Sequence, residues 1–238
     1  MIKSAYHCSD FDLAKHLGFT HVLLGISGWP GSVDRIVEEI QKARALGLGC
    51  IIGPFTNDET VNFDYADGVD LIEHLMIEGL LDTNADLIYL PDEPNLKKME
   101  PRDVKAFNDS IKTISSDLKT VAVYSYSKSF NRYKNLTDYV GIYFYKKLTA
   151  WRKLKFFFRM WRFTFGNSSK IIGVPPVRYS PEEMWRHYCA WTFVSPVGFF
   201  WYPWTPNQEK NPDGTPWLDT DVSGLPDIQR LFKRLNGI

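Results

Sequence analysis

With 238 residues, 44% of them apolar, the chain has core material for one well-buried barrel or two small domains, and one domain over 1–238 is the simpler reading. A formal net charge of zero offers no general attraction to nucleic acid or anionic membranes, and Cys8, Cys50 and Cys189, without CxxC or zinc-site spacing, argue for free thiols over a disulfide framework. The start, Met1-Ile2-Lys3-Ser4-Ala5-Tyr6-His7, lacks the apolar run of a signal peptide, and no segment reaches the ~20 apolar residues of a membrane span, so a soluble chain is expected, cytoplasmic or delivered with a larger assembly.

Eight strand-like runs alternate with helical or loop segments, the pattern of a parallel sheet. The first strand is placed at Ser4 to Cys8, with a helix around Asp12 to Leu17; the second at His21 to Ser27, with a helix from Val33 to Leu46. The third, Gly49 to Phe55, is followed by a polar loop from Thr56 to Asp67 and a helix from Val69 to Leu81. The fourth, Asp86 to Leu90, precedes a helix from Pro101 to Ser116, Pro101 being a natural first helical residue. The fifth is Thr120 to Tyr126 and the sixth Tyr139 to Tyr145, before a basic aromatic helix from Trp151 to Phe165. The seventh is Lys170 to Val174, after which Ser180-Pro181-Glu182-Glu183 opens a helix reaching about Val194. The eighth is Gly198 to Trp204, and Asp227 to Asn236 closes the chain as a helix. Eight such units predict a single (β/α)8 barrel.

Alternation assigns faces. In the sixth strand Val140, Ile142 and Phe144 should meet the helices, with Gly141, Tyr143 and Tyr145 inward. The same rule puts Val121 and Val123 outward and Ala122, Tyr124 and Tyr126 inward; it puts Val22, Leu24 and Ile26 outward, with Gly25 and Ser27 inward. In the fourth strand Ile88 and Leu90 face the helices, and Leu87, Tyr89, Pro91 and Glu93 face inward.

That count matters because Asp92-Glu93-Pro94-Asn95 follows the fourth strand, and the C-terminal strand tips of a barrel carry its chemistry. A carboxyl in an aromatic, partly dry mouth beside the charge of Asp92 is expected to hold a proton near neutrality, as glycoside hydrolysis asks of its acid. The plain alternative is that the pair only caps the following helix.

With Asp92-Glu93-Pro94 at this tip, the chain resembles the (β/α)8 glycoside hydrolases, many of which carry Asn-Glu-Pro there with Glu as acid/base. Their nucleophilic Glu stands at the seventh tip, where this chain has Gly173-Val174-Pro175-Pro176-Val177-Arg178-Tyr179 and no carboxylate. The adjacent Asp-Glu pair is similar to that of the β-N-acetylhexosaminidase-type families. That resemblance implies Glu93 as acid/base and Asp92 orienting the substrate's own 2-acetamido group as nucleophile. It also implies Tyr143 or Tyr145 on the acetamido oxygen, Trp201 or Trp204 walling the sugar, and an N-acetylhexosamine glycan cleaved by substrate-assisted catalysis without a cofactor. Alternatives are a muramidase-like hydrolase, whose barrels carry Asp-x-Glu at this tip, and a non-catalytic glycan-binding or assembly barrel.

The aromatic content of 15%, with eight tryptophans, exceeds what a core requires. Sugars present C–H-rich faces that stack on rings, so Trp29, Tyr126, Trp201, Trp204 and Trp217 are candidate substrate-binding residues with Asn95, whereas Phe199 and Phe200 are assigned to the core. The long loop from Pro203 to Pro226 carries Trp217 and offers Asp219 or Asp221 as the base of an inverting alternative; Asn57, Asp58 and Glu59 lie in a solvated turn. His7, Cys8 and Asp10 lack the His-x-His spacing of barrel metallohydrolases, so no catalytic metal is expected. No Gly-rich phosphate loop follows the seventh or eighth strand, which argues against phosphorylated substrates.

The segment 146–165 combines Arg152, Lys153, Lys155, Arg159 and Arg162 with seven Trp and Phe. Trp151, Leu154, Phe158, Trp161 and Phe165 share helical spacing and are expected to pack on the barrel, leaving Phe156 and Phe163 outside. The segment is a candidate contact for a protein partner or membrane surface; oligomeric state is not readable from it.

Overall fold

A computed structural model describes residues 1–5, 8, 10–24, 33–54, 65–91, 93–95, 99–127, 129–144, 149–177, 180–201 and 222–238, with the backbone alone for 65–67. The strands are β1 (Ile2–Ala5), β2 (His21–Leu24), β3 (Gly49–Ile52), β4 (Leu87–Tyr89), β5 (Lys119–Ser125), β6 (Tyr139–Tyr143), β7 (Lys170–Val174) and β8 (Gly198–Trp201). The helices are α1 (Phe11–His16), α2 (Val33–Ala45), α3 (Tyr65–Ile77), α4 (Pro101–Ile114), α5 (Ala150–Thr164), α6 (Pro181–Thr192) and α7 (Pro226–Asn236). Each strand pairs in parallel with the next, and β1 pairs with β8 to close the (β/α)8 barrel. A short 3₁₀ helix, Ser129–Tyr133, takes the place of a full helix between β5 and β6.

Helix phasing follows the sequence. In α4, Val104, Phe107 and Ile111 recur at helical spacing and are buried, and Pro101 occupies the first turn. Ser180 caps α6 by accepting from the Glu183 N–H at 3.3 Å, and Met184, His187 and Trp191 face the barrel. Gly237 ends α7 with φ +79°, a conformation that costs glycine little.

Two apolar layers result. Leu23, Ile51, Leu87, Tyr89, Val121, Val123, Ile172, Val174 and Phe200 fill the barrel interior. A second cluster, between the strands and the helices, holds Val22, Leu24, Ile88, Leu90, Val140 and Ile142 as alternation predicts, along with Phe199. The prediction for β5 is reversed: Val121 and Val123 face inward, while Ala122 and Tyr124 meet the helices. Register explains it. Val123 lies beside Gly141, where an added Cβ would stand 2.6 Å from a Val123 methyl, so valine fills the room that glycine leaves.

The predicted faces of α5 are also exchanged. Phe156, Met160 and Phe163 are buried against the barrel, and Trp151, Leu154, Phe158, Trp161 and Phe165 face outward. Among the described residues no helix is long and apolar enough to cross a membrane.

Candidate active site

The end of β4 departs from regular pairing. The Leu90 N–H donates to the Val121 carbonyl at 2.8 Å, and the Glu93 N–H donates to the Val123 carbonyl at 3.1 Å. Between these bonds β5 advances two residues and the β4 chain three, so one extra residue is inserted, as in a β-bulge. Pro91, which has no N–H to give, stands inside the insertion. The extra residue cancels the alternation count beyond Leu90, so counting from Leu87 does not assign Glu93 a face. What positions Glu93 is the strand tip itself, where it is half-buried with φ +49°. A left-handed conformation at a residue with a side chain costs on the order of 1–2 kcal/mol and persists where the surroundings impose it, often at functional sites.

The N-cap position of α4 is Glu100. The Glu100 N–H donates to the Asp103 carboxylate at 3.2 Å at that helix's start, and Glu100 pairs with Arg132 at 2.8 Å.

Asn95 departs from its expected role. Its amide donates to the Ser125 carbonyl at 2.9 Å and the Ser127 hydroxyl at 2.8 Å, and its carbonyl accepts from the Ser125 N–H at 3.0 Å. The side chain imitates a neighbouring strand and locks the β4 loop to the β5 tip, leaving little capacity for a sugar. Ser125 and Ser127, both half-buried, join the mouth, and the Ser-x-Ser pattern ending the fifth strand is their only mark in the sequence. Ser125 is in register with Tyr143, which packs on the inner cluster, and the Tyr126 N–H continues the ladder to the Tyr143 carbonyl at 3.1 Å. The tips of β4, β5 and β6 thus bring Glu93, Asn95, Ser125, Ser127 and Tyr143 into one connected edge.

Two predicted sugar-stacking residues are employed elsewhere. Trp201 is 2% exposed, lying between barrel and helices with its ring stacked on Tyr188 and edge-on to Phe232 at 5.2 Å. Alternation in β8 puts Phe200 inside, and Trp201 therefore outside. Tyr126 continues the reversed phase of β5: its ring packs on Phe130, Phe144 and Phe156, and its hydroxyl donates to the Lys155 carbonyl at 3.1 Å. Burial raises its phenol above the ordinary range, opposed in part by the Arg159 guanidinium 5.2 Å from the ring centre. Tyr126 fastens β5 to α5.

Asp92, Tyr145, Trp29, Trp204 and Trp217 lie outside the described residues, as do His7, Asn57, Asp58, Glu59, Asp219 and Asp221. At the β7 tip the described residues through Val177 include no carboxylate, and Glu182 pairs with Arg186 at 2.5 Å in the first turn of α6. Asp10 accepts from the Leu13 N–H at 2.8 Å and caps α1. Among the described residues no three His, Cys, Asp or Glu are grouped to hold a metal.

No family model and no curated protein matches the chain. Solved structures match its fold. The chain is similar to a β-glucuronidase of Bacteroides uniformis at 12% identity and TM-score 0.59, covering 94% of this chain and 32% of that one. It is similar to a GH113 β-1,4-mannanase at 13% identity and TM-score 0.60, covering 99% and 97%. A xylanase-α-amylase inhibitor protein in complex with trehalose matches at 10% identity and TM-score 0.58, covering 85% and 93%. The chain thus spans about a third of the glucuronidase and 97% of the mannanase. At these identities the likeness is one of fold, and the fold is the (β/α)8 barrel.

Proposed function

We propose that this barrel, as one domain over residues 1–238, is a glycoside hydrolase with Glu93 as its acid/base. The observation that carries the reading is Glu93 itself: a carboxylate at the bulged tip of β4, held at positive φ. The likeness to β-glucuronidase and β-1,4-mannanase barrels supports it.

The preferred mechanism is retaining and substrate-assisted, on an N-acetylhexosamine-containing glycan. Glu93 protonates the leaving oxygen while the substrate's acetamido oxygen attacks the anomeric carbon. Glu93 then takes a proton from the water that opens the cyclic intermediate. Asp92 orients the acetamido group, and Tyr143 or Tyr145 donates to its oxygen. The β7 tip, without a carboxylate among its described residues, fits a mechanism that needs no protein nucleophile. Trp204, Trp29 and Trp217 remain the proposed stacking surfaces.

The test pairs aryl N-acetylhexosaminides with the plain hexosides, for wild type and Glu93→Gln. Expected is cleavage confined to the N-acetyl sugars and reduced by ~10²–10⁴-fold in the variant. Equal cleavage of plain hexosides would transfer the missing role to Asp219 or Asp221. The inhibitor-protein barrel favours a second reading, a glycan-binding barrel without turnover. It predicts glycan affinity, no cleavage by wild type, and no effect of Glu93→Gln on turnover.

A further inference from the structure

Helix α5 has two apolar faces. The inner one, Phe156, Met160 and Phe163, belongs to the core. The outer one runs along Trp151, Leu154, Phe158, Trp161 and Phe165, at steps of three and four residues, so these side chains form one stripe about 21 Å long. The exposure is large: 71% for Trp151, 66% for Phe158 and 63% for Trp161. Phe158, Trp161 and Phe165 follow one another at ring separations of 6.0 and 6.3 Å, and beside them exposed Phe193 lies 5.1 Å from the half-buried Phe157. Soluble proteins seldom leave a contiguous aromatic stripe of this kind without a partner.

Charge selects the partner. The chain is neutral overall, yet no Asp or Glu occurs between Asp138 and Glu182, where Lys and Arg recur throughout. On the helical wheel Arg152, Lys155, Arg159 and Arg162 line one flank of the stripe. Arg159 lies over Tyr126, while Arg152, Lys155 and Arg162 are exposed. A second copy fits poorly. A two-fold contact of antiparallel α5 helices would set this basic flank against itself, with no acidic side chain on the helix to relieve the repulsion. The stripe is convex and one helix wide, and tryptophan anchors it at Trp151 and Trp161; aromatic side chains beside cations suit a helix lying in a lipid–water interface.

We propose that the outer face of α5 docks on a phospholipid bilayer bearing anionic headgroups. Trp151, Leu154, Phe158, Trp161 and Phe165 enter the interfacial layer, and Arg152, Lys155 and Arg162 meet the headgroup phosphates. The proposal is independent of catalysis, since its assay reads binding alone.

The test is flotation of the purified chain with phosphatidylcholine vesicles, with and without phosphatidylserine. It compares wild type, the variant Trp151→Ser/Phe158→Ser/Trp161→Ser and the variant Arg152→Gln/Lys155→Gln/Arg162→Gln. Expected is wild-type flotation with the phosphatidylserine vesicles that added NaCl weakens. The serine variant should lose it, and the glutamine variant should bind more than about tenfold more weakly. Circular dichroism melting checks that both variants stay folded; should the serine variant fail, the glutamine variant and the salt dependence carry the test. Absent wild-type flotation, or flotation unchanged in the folded variants, overturns the proposal. So does self-association in sedimentation equilibrium that the serine variant abolishes without vesicle binding, or retention on polyglutamate without vesicle binding.

Discussion

At the N-terminal end of the strands, just before β4, the buried Asp86 carboxylate pairs with Arg44 and accepts from the Cys50 and Asp82 N–H groups, each at 2.8 Å. At the opposite end of the same strand, Glu93 stands half-buried on a bulge in a left-handed conformation. The contrast extends around the barrel. Below, Lys112 pairs with Asp138 at 2.6 Å, and Asp138 accepts from the Thr120 N–H at 2.8 Å, fastening β5 to β6. His21 accepts from the Thr20 hydroxyl and donates to the Ala85 carbonyl at 2.9 Å, and Gly49 leaves its ring room, since an added Cβ would fall 2.6 Å from it. One end gathers satisfied polar groups that hold the strands together; the other tolerates strain where chemistry is proposed.

The largest effect expected from breaking this contrast is at the lower end. Asp86→Ala leaves Arg44 and two backbone N–H groups without their carboxylate and should cost about 3–5 kcal/mol in urea unfolding, with turnover per folded molecule unchanged. A cost below about 1 kcal/mol would mean the lower end is not held this way. Asn95→Ala sharpens the boundary between the two ends. It removes the clamp from the β4 loop to Ser125 and Ser127, so about 1–3 kcal/mol of stability should go together with a fall in kcat, because the β4 tip loses its register.

Titration addresses His21. Burial lowers its pKa from 6.5, so the unfolded chain takes up a proton that the folded chain resists. Its contribution is complete above pH 6.5 and declines as pH falls through the depressed folded value. The slope is at most about 1.4 kcal/mol per pH unit, and His21→Gln should flatten that part of a plot of stability against pH. The smallest effect is at the mouth. Glu93→Gly relieves a left-handed backbone at some cost in unfolded-state entropy, and should leave stability within about 1 kcal/mol of wild type while abolishing hydrolysis. A larger loss of stability in Glu93→Gly would show that the residue serves the fold.

Much of the barrel is legible in the chain. The eight strand runs, the turn chemistry at Pro101 and Ser180, and the place of Glu93 after the fourth strand all follow from local pattern. The faces of β5 do not, because both sides of a barrel strand are buried and apolar on either side, so valine and tyrosine can exchange sides without a visible penalty in sequence. The two faces of α5 are confusable for the same reason: Phe156 and Trp151 are equally apolar as letters. Trp201 reads as a sugar platform in sequence because aromatic character says nothing of which layer a ring occupies.

Sequence by itself determined the alternation of elements, the absence of a carboxylate from the run Gly173 to Tyr179, and an acidic pair at a strand end. Tertiary structure alone decided that Val123 fills the room beside Gly141, that Asp86 is a buried anchor, that Asn95 is spent as a clamp, and that an extra residue sets Glu93 at the tip of β4. Those outcomes depend on register and on which surfaces meet, and contacts between residues far apart in the chain are settled only when the barrel closes.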